Sequence, residues 1–545
     1  MIAGKVQVNV MGIVKKYGAF VLLGMAFLIL IVLNLCFHDR WLDSDMAAEM
    51  IFSRLLAQEG HVFAAADWYY STEFRVLYTQ LIMAPLFLIT DNWHLIRAAT
   101  NIVTYVLMLT AYFYMMAPLK VDKRWTALTG TILLLPFSET MITHMQMGNT
   151  YMWHVILLLF FFGMFLRLVQ GESYGKGRRW VLRICYAALS VVCGVSGVRY
   201  LLAMQCPLVL TAILYMAASE EFRRFRTRFG TCPDAREDWK RVWERYGGYL
   251  RYSFLGAVCS VLGYGLNVLW VSRNYVFQTY GATNYIAVYQ GILWERLQNA
   301  LGSLLMLFGY IPDKGFLSLR GVVTLFSFVL IALFIYFVIK AYRQREGRRF
   351  FTVLFLAVAF AVNVFVFVFT NSTMVPRYYI TLFIFALPAA AFYFEGKEPL
   401  LDRLAVGALL LVCFGMGTLK ILFSFLTTDK NEDKRAVAEF FMENEYDFGY
   451  ATYWNANIMT ELTNGKVEVA NIIDPESLAF FKWSSPMKYY EENYHQGAVF
   501  LLLTSEEAEE YEDAGALRTG EQVYADGHYV VLVYESVDEL MSCAD

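Results

Sequence analysis

Long apolar runs recur along this chain, and polar segments of unequal length separate them. An α-helix needs about 20 mostly apolar residues to cross the hydrocarbon core of a bilayer. Eleven runs are interpreted as spanning helices, several of them short: 17–37, 98–118, 126–138, 151–168, 184–197, 200–217, 252–271, 321–340, 350–370, 379–394 and 404–426. The pattern predicts an α-helical polytopic membrane protein.

A twelfth apolar stretch, 76–90, decides which side of the membrane each later segment faces. If it does not cross and the N-terminus is cytoplasmic, the basic clusters at 120–124, 167–183, 223–251 and 340–349 all face the cytoplasm, as the positive-inside rule requires. If it crosses, each of these clusters faces outward. We therefore expect 76–90 to lie on or dip into the outer leaflet of the cell membrane, and the C-terminus to be extracytoplasmic.

Three polar segments lie on the predicted outer side: 38–97, 272–320 and the tail, 427–545. The tail is acidic and combines helical and alternating patterns, which is typical of a small α/β domain. Its predicted elements are helices at 432–444 and 505–513 and strands at 447–453 and 497–503. The sequence thus predicts a transmembrane domain, 1–426, followed by an extracytoplasmic α/β domain, 427–545.

Composition agrees with this organisation and excludes other classes of protein. Of the 545 residues, 58% are hydrophobic and 17% are charged, so a soluble domain would have too little polar surface to cover its apolar side chains. The net charge of −3 argues against a nucleic-acid partner. The eight cysteines form no CxxC pair, so neither a cysteine zinc site nor a disulfide framework is indicated.

The first candidate chemistry lies in the first outer loop, on a predicted amphipathic helix at 45–58. Asp45 and Glu49 are four residues apart and therefore one turn apart, at the border of its apolar face. A carboxylate that is partly withdrawn from water becomes more basic and can accept a proton from a hydroxyl. The simpler interpretation is that Asp43, Ser44 or Asp45 only caps this helix.

The same loop carries an aromatic segment, 68–75, in which Glu73 is a further outer carboxylate. Aromatic rings stack on sugars, and they also anchor proteins at lipid headgroups. The more ordinary interpretation is an interfacial aromatic belt with a local ion pair between Glu73 and Arg75.

Arginines at the outward ends of predicted spans form another candidate group: Arg97, Arg199 and Arg377, the last followed by Tyr378. A charge at the membrane interface needs a partner, and a guanidinium binds a lipid phosphate bidentately. Snorkelling to ordinary headgroups is the alternative for each of them.

A short outer turn, 138–150, adds His144, Gln146 and Asn149, which could line a polar pocket. Their spacing is not diagnostic of a metal site. No cofactor is firmly implied by the sequence. A divalent metal ion is compatible with the outer carboxylates, but its ligands cannot be identified.

Taken together, these residues resemble the GT-C superfamily of membrane glycosyltransferases, in particular the protein O-mannosyltransferase and aminoarabinose-transferase type. That family has an acid opening an outer helix, a later glycine, an amphipathic stretch and an arginine opening the next span, matched here by Asp45, Gly60, Glu73–Leu88 and Arg97. Its late signature is matched by Arg377, Tyr378 and Pro388. The chain departs from the family at Met46, where a second acid is common, and in having only Pro85 in the amphipathic stretch.

The resemblance implies a GT-C-like bundle and a glycosyltransferase that acts, with inversion, on a polyprenyl-phosphate-linked sugar. Asp45 would be the general base that deprotonates the hydroxyl of a glycan, lipid or protein acceptor. Arginines would bind the donor phosphate: Arg377, Arg199 and Arg97. Second-rank acids would bind the acceptor or a metal ion: Asp43, Glu49 and Glu73.

Three other functions remain open at this point. A transporter or flippase of lipid-linked saccharides would share the interfacial arginines, although it would more often carry charges within its spans. A membrane polysaccharide polymerase or ligase would place its catalytic residues in a later loop such as 272–320. A receptor without enzymatic activity would leave Asp45 and Arg377 unexplained.

Overall fold

The computed structural model describes residues 2–148, 151–170, 175–229, 235–278, 284–286, 291–312, 318–344 and 347–544. Within these ranges, eight helices are long and apolar enough to cross a membrane, and a bent pair, Leu201–Ala217 with Glu220–Arg228, would make a ninth span. The chain is therefore a multi-pass membrane protein. The predicted total of eleven spans stays a prediction.

Two of the predicted spans lie in helices that are not among these eight long apolar helices. The run at 126–138 lies in helix Lys123–Leu134, which has only 12 residues because it ends before Pro136. The run at 184–197 lies in helix Lys176–Val195, whose first turns are strongly basic.

Helices account for most of the described residues. In the first half of the chain they are Ile2–Cys36, Ser44–Glu59, Gln80–Leu86, Trp93–Met116, Lys123–Leu134, Glu139–Met141, Tyr151–Val169, Lys176–Val195, Cys206–Ala217, Glu220–Arg228 and Ala235–Leu266. In the second half they are Ser272–Asn274, Leu293–Leu307, Leu319–Gln344, Gly347–Phe369, Ile380–Glu395, Leu400–Thr427, Glu432–Glu443, Tyr453–Leu462, Ser505–Glu510, Gly515–Thr519 and Val537–Ser542. Short π- or 3₁₀-helical turns are His38–Trp41, Ala117–Leu119, Ile142–Gln146, Leu201–Gln205, Asn267–Val271, Pro376–Tyr379 and Met487–Tyr490.

Two helices form the centre of the bundle, Tyr151–Val169 and Ile380–Glu395. Both are apolar on all sides and almost entirely buried, as expected of helices that other helices surround. The rings of Phe162 and Phe385 meet edge to face at 5.1 Å between these helices. The two central helices therefore pack directly against each other.

The stretch 76–90, expected on the outer leaflet, contains the seven-residue helix Gln80–Leu86, which is too short to span. The aromatic segment before it forms strand β1, Trp68–Tyr70. Trp68 is buried with its ring 5.0 Å from that of Phe52, so this side chain packs inside the loop rather than facing headgroups.

A three-stranded sheet joins the three polar segments that were predicted to lie outside. Strand β1 pairs in parallel with β2, Val276–Phe277, from the second loop. It pairs antiparallel with β5, Ser485–Pro486, from the tail. All three segments therefore lie on one side of the helical bundle.

The tail contains a five-stranded mixed sheet with helices packed on it, as predicted. Its strands are β3, Phe448–Thr452; β4, Glu468–Ile472; β6, Val499–Thr504; β7, Glu521–Ala525; and β8, Tyr529–Tyr534. The order is β4-β3-β6-β8-β7, with β3 parallel to both neighbours and the pairs β6–β8 and β8–β7 antiparallel. The predicted helix at 432–444 and strands at 447–453 and 497–503 are present. Strands β4, β7 and β8 and helix Tyr453–Leu462 were not predicted.

The last long helix of the bundle ends at Thr427, and the tail then folds back onto the first loop. Asn431 donates its amide to the main-chain oxygens of Asp39 and Leu42, at 2.7 and 2.9 Å. Helix Tyr453–Leu462 packs along helix Ser44–Glu59. The tail is thus anchored on the loop that carries the predicted acids.

Candidate functional site

The loop helix Ser44–Glu59 assigns separate roles to its first acids. Asp43 is the N-cap, and its side chain accepts a hydrogen bond from the Met46 N–H at 2.8 Å. Asp45, in the first turn, is half-buried and accepts a hydrogen bond from the Tyr453 hydroxyl at 2.6 Å. The helix ends at Gly60, whose φ of +71° favours glycine. The capping role therefore belongs to Asp43, and the carboxylate of Asp45 faces the tail.

Glu49 lies one turn further along the same helix and is only 7% exposed. Its carboxylate accepts hydrogen bonds from Tyr78 at 2.7 Å and from Arg75 and Thr79, each at 3.2 Å. Burial raises the pKa of Glu49 to about 7, although the Arg75 guanidinium opposes this shift. Glu49 is thus a polar group enclosed within the loop.

Glu73 lies at the centre of a cluster of charges. Arg199 donates a hydrogen bond to one carboxylate oxygen, and Arg75 Nε lies 3.8 Å from the other. His154 Nε2 is 3.7 Å from that second oxygen, and its Nδ1 lies 2.6 Å from the Tyr200 hydroxyl. The expected local pair with Arg75 is present, but the contact with Arg199, from another helix end, is closer.

Tyr151 connects this cluster to the late arginine. The Arg199 guanidinium carbon lies 5.2 Å from the centre of the Tyr151 ring, and the Tyr378 ring lies 6.5 Å from it. Arg377 is near enough to act electrostatically on the Tyr151 hydroxyl. Arg377 is half-buried, and it forms no ion pair with any carboxylate in the described ranges.

Tyr453 connects Asp45 to the same cluster. Its pKa is raised well above the ordinary value by burial and by the adjacent Asp45 carboxylate, and Arg75 opposes this shift. Arg75 in turn hydrogen-bonds Glu49 and lies beside Glu73. The pair of Asp45 and Tyr453 therefore lies within electrostatic range of the charged cluster that Arg75, Glu73 and Arg199 form.

Arg97 is held apart from that series. It is fully buried and donates two hydrogen bonds of 2.6 Å to the carboxylate of Glu461, on tail helix Tyr453–Leu462. A third bond, of 2.7 Å, goes to the main-chain oxygen of Met46. In this conformation the Arg97 guanidinium joins the second span, the loop helix and the tail, and its charge is matched by Glu461.

The predicted polar turn is divided between different environments. Gln146 is fully buried and donates its amide to the main-chain oxygens of Leu134 and Leu135, both at 3.0 Å. It therefore caps the C-terminal end of helix Lys123–Leu134. The His144 ring lies 5.8 Å from that of Tyr151, beside the arginine cluster. Asn149 lies outside the described residues.

Sequence reasoning did not single out Tyr151, His154 or Tyr453. For His154 a signal exists, because an ionisable side chain within a spanning segment commonly marks a functional site. Tyr453 carries no comparable signal, since 408 positions separate it from Asp45.

A set of metal-ligating side chains lies elsewhere on the loop side. In the described part of the chain, only His38, Asp39 and His94 form a group of three such residues close enough to share an ion. This group includes none of the predicted site residues.

No protein-family model and no curated protein matches the chain. Among solved structures, it is similar to ArnT from Cupriavidus metallidurans bound to undecaprenyl phosphate, with a TM-score of 0.55, 14% identity and coverage of 95% of this chain and 98% of that one. For ArnT in the apo state these values are 0.54, 12%, 97% and 99%. For the archaeal oligosaccharyltransferase AglB from Archaeoglobus fulgidus, in complex with an inhibitory peptide and a dolichol-phosphate, they are 0.44, 11%, 90% and 70%. The chain therefore shares the fold of the ArnT structures, in agreement with the GT-C-like helical bundle that its sequence predicts.

Proposed function

We propose that this protein is a glycosyltransferase that moves a sugar from a polyprenyl-phosphate carrier to an acceptor hydroxyl. The observation that carries the proposal is the charged cluster around Glu73, which lies within electrostatic range of the pair of Asp45 and Tyr453 on one side and meets Tyr151, itself within range of Arg377, on the other. The first side holds a carboxylate that is not the helix cap, and the other holds a guanidinium that pairs with no described carboxylate. An acid and a cation in this relation are what a displacement at a sugar phosphate requires.

In the proposed reaction, Asp45 accepts the proton of the acceptor hydroxyl while that oxygen attacks the anomeric carbon. The bond from this carbon to the phosphate oxygen breaks, and the polyprenyl phosphate leaves with the electron pair. A single displacement inverts the anomeric centre. The hydrogen bond from Tyr453 to Asp45 Oδ1 orients the carboxylate and leaves its second oxygen for the acceptor.

Arg377 is the proposed main ligand of the phosphate, with Arg199 as a second. The charge of Arg199 is already balanced by Glu73, whereas Arg377 has no described carboxylate beside it. A cation at a membrane interface is costly without a partner, and a lipid phosphate would supply one. Arg97 is excluded from this role in the proposal because Glu461 already occupies its guanidinium.

The carrier class follows from the same chemistry and agrees with the ArnT structure, which was determined with undecaprenyl phosphate bound. Sugar donors on a polyprenyl phosphate are held at the bilayer surface, where the span ends with Arg199 and Arg377 lie. The acceptor is proposed only as a hydroxyl of a glycan, a lipid or a protein.

The side of action is also a proposal. The first loop, the second loop and the tail share one sheet and so lie together. The basic clusters of the sequence lie in the alternate segments, which the positive-inside rule assigns to the cytoplasm. We therefore place residues 427–545 outside the cytoplasm, as a domain that packs on the first loop and contributes Tyr453 to the site.

The test is a transfer assay on the full-length protein in proteoliposomes that contain undecaprenyl-phosphate-linked sugars. Release of undecaprenyl phosphate is expected from the wild type and is expected to be lost in Asp45→Asn. Asp43→Asn is the matched control, because asparagine caps a helix as well as aspartate does. Full release by Asp45→Asn would remove Asp45 as the base, whereas no release from the wild type would favour a transport function.

A further inference from the structure

Three side chains with metal-ligating atoms meet where the first long helix ends and helix Trp93–Met116 begins. His38 and Asp39 lie in the turn after the first long helix, which ends at Cys36. His94 is the second residue of the helix that begins at Trp93. Their ligand atoms all lie within 4.8 Å of one another.

The contacts centre on one carboxylate oxygen. Asp39 Oδ1 lies 2.8 Å from His38 Nδ1 and 3.1 Å from His94 Nδ1. Zinc binds imidazole nitrogen and carboxylate oxygen at about 2.0–2.2 Å. Ligand atoms that share one such ion therefore lie about 3–3.5 Å apart. The two contacts of Asp39 are already close to this spacing, and the two histidine nitrogens, which lie within 4.8 Å of each other, would move towards the ion.

The second ring nitrogen of His94 is held in a way that suits a metal ligand. His94 Nε2 lies 3.0 Å from the main-chain oxygen of Leu35. A carbonyl oxygen only accepts, so Nε2 carries a hydrogen. Without an ion, Nδ1 donates to the Asp39 carboxylate as well; with an ion, Nδ1 would give up that proton and offer its lone pair to the metal. Histidine ligands of metals commonly donate their other N–H to a carbonyl in this manner.

The ring of His38 is buried without a hydrogen-bond partner in the described part of the chain. It is 1% exposed, and neither of its ring nitrogens has a hydrogen-bond partner among the described residues. Its short contact with Asp39 thus lacks hydrogen-bond geometry. Buried polar nitrogens without a partner are costly, and coordination of one of them to an ion would relieve part of this cost.

We propose that His38, Asp39 and His94 together bind one divalent transition-metal ion, with zinc as the ion that fits their ligand atoms best. Two imidazole nitrogens and one carboxylate oxygen favour zinc over magnesium or calcium, which prefer oxygen ligands alone. A water molecule would complete a tetrahedral site. This inference does not depend on the proposed transfer reaction.

The position of the site suggests its role. Asn431, between the last long helix and the tail sheet, donates a hydrogen bond to the main-chain oxygen of Asp39. An ion at this position would therefore join the end of the first span to the start of the second, next to the hydrogen bond by which Asn431 attaches the tail. It acts as a structural clamp that stabilises the folded loop side.

The test uses the purified full-length protein, stripped with a chelator and dialysed against zinc chloride, with bound metal measured by mass spectrometry. The wild type is expected to bind one zinc per chain. Asp39→Asn and His94→Ala are each expected to weaken zinc binding at least tenfold. His61→Ala is the control, since His61 is an exposed histidine of the same loop.

A second readout keeps the result independent of activity and of misfolding. Zinc is expected to raise the Tm of the wild type and of His61→Ala, but not that of His94→Ala, with all three proteins monodisperse in detergent. Absence of stoichiometric zinc in the wild type, or zinc binding by Asp39→Asn and His94→Ala as tight as that of the wild type, would overturn the proposal and leave only the hydrogen bond between His94 and Asp39.

Discussion

The hydroxyl of Tyr453 donates a hydrogen bond of 2.6 Å to Asp45 Oδ1 and so links the tail to the first loop at the acid proposed as the base. Ser44, the residue before Asp45, donates its hydroxyl to the main-chain oxygen of Tyr453. Two reciprocal contacts therefore fix the position of the loop acid relative to the tail helix. The tail is part of the candidate site rather than an appended module.

Replacing Tyr453 with phenylalanine tests this relation. The Asp45 carboxylate loses an orienting bond, so kcat for sugar transfer is expected to fall about tenfold while the donor KM stays unchanged, as one lost hydrogen bond of about 1.5 kcal/mol would give. Tyr524→Phe is the matched control, because its hydroxyl also bonds an aspartate, Asp526, at 2.8 Å, but on the exposed surface of the tail. Equal kinetics of the two variants would show that Tyr453 does not position Asp45.

The buried pair of Arg97 and Glu461 is expected to hold the tail on the bundle. Glu461→Gln leaves a fully buried guanidinium without its counter-charge, a change that costs about 3–5 kcal/mol in buried pairs. We expect a clearly lower Tm and faster proteolytic release of the tail. Asp513→Asn, which breaks the exposed pair with Arg518, is expected to leave both measurements unchanged. A Glu461→Gln protein as stable as the wild type would contradict this role.

Glu49 should make stability depend on pH. Burial raises its pKa to about 7 in the folded protein, so the folded state binds the proton more tightly than the unfolded state does. The contribution of Glu49 to the free energy of unfolding is therefore highest at low pH. It decreases by on the order of 3 kcal/mol as pH rises from about 4.5 to about 7.

The variant Glu49→Gln is expected to lose this dependence, so that its Tm relative to the wild type rises between pH 5 and pH 8. Glu506→Gln, at an exposed glutamate of the tail, should follow the wild type throughout. Parallel Tm curves for the wild type and Glu49→Gln would show that Glu49 stays ionised when folded.

Arg377→Ala is expected to weaken binding of undecaprenyl phosphate about 10- to 100-fold, as loss of a charge-assisted hydrogen bond to phosphate would. Arg377→Lys keeps the charge but not the bidentate geometry, so an intermediate affinity is expected. Binding to protein in nanodiscs measures both. Arg518→Ala, at an exposed arginine of the tail, is the control, and an affinity for Arg377→Ala equal to that of this control would exclude Arg377 from the phosphate site.

Local patterns were sufficient to predict the loop helix and the acids on it. The four-residue spacing of Asp45 and Glu49 placed both on one helix, and the structure shows that helix from Ser44 to Glu59. The pattern could not assign the cap, because Asp43, Ser44 and Asp45 are all good capping residues. Only the hydrogen bond to Asp43 distinguishes them.

Long-range pairing is what the sequence could not supply. Arg97 was correctly expected to need a partner at the membrane interface, but the partner in the structure is Glu461, 364 positions away. Nothing in the tail sequence marks this glutamate, because its role depends on how helix Tyr453–Leu462 docks on the loop. The same holds for Tyr453, which looks like an ordinary aromatic residue until the tail is in place.

A structure of the full-length protein with undecaprenyl phosphate bound would show whether Asp45 and Arg377 serve one site. The phosphate is expected to lie against the Arg377 guanidinium, and the Asp45 carboxylate is expected to open onto the same cavity. A phosphate held by other groups, or Asp45 and Arg377 opening onto separate cavities, would contradict the proposal of one shared site.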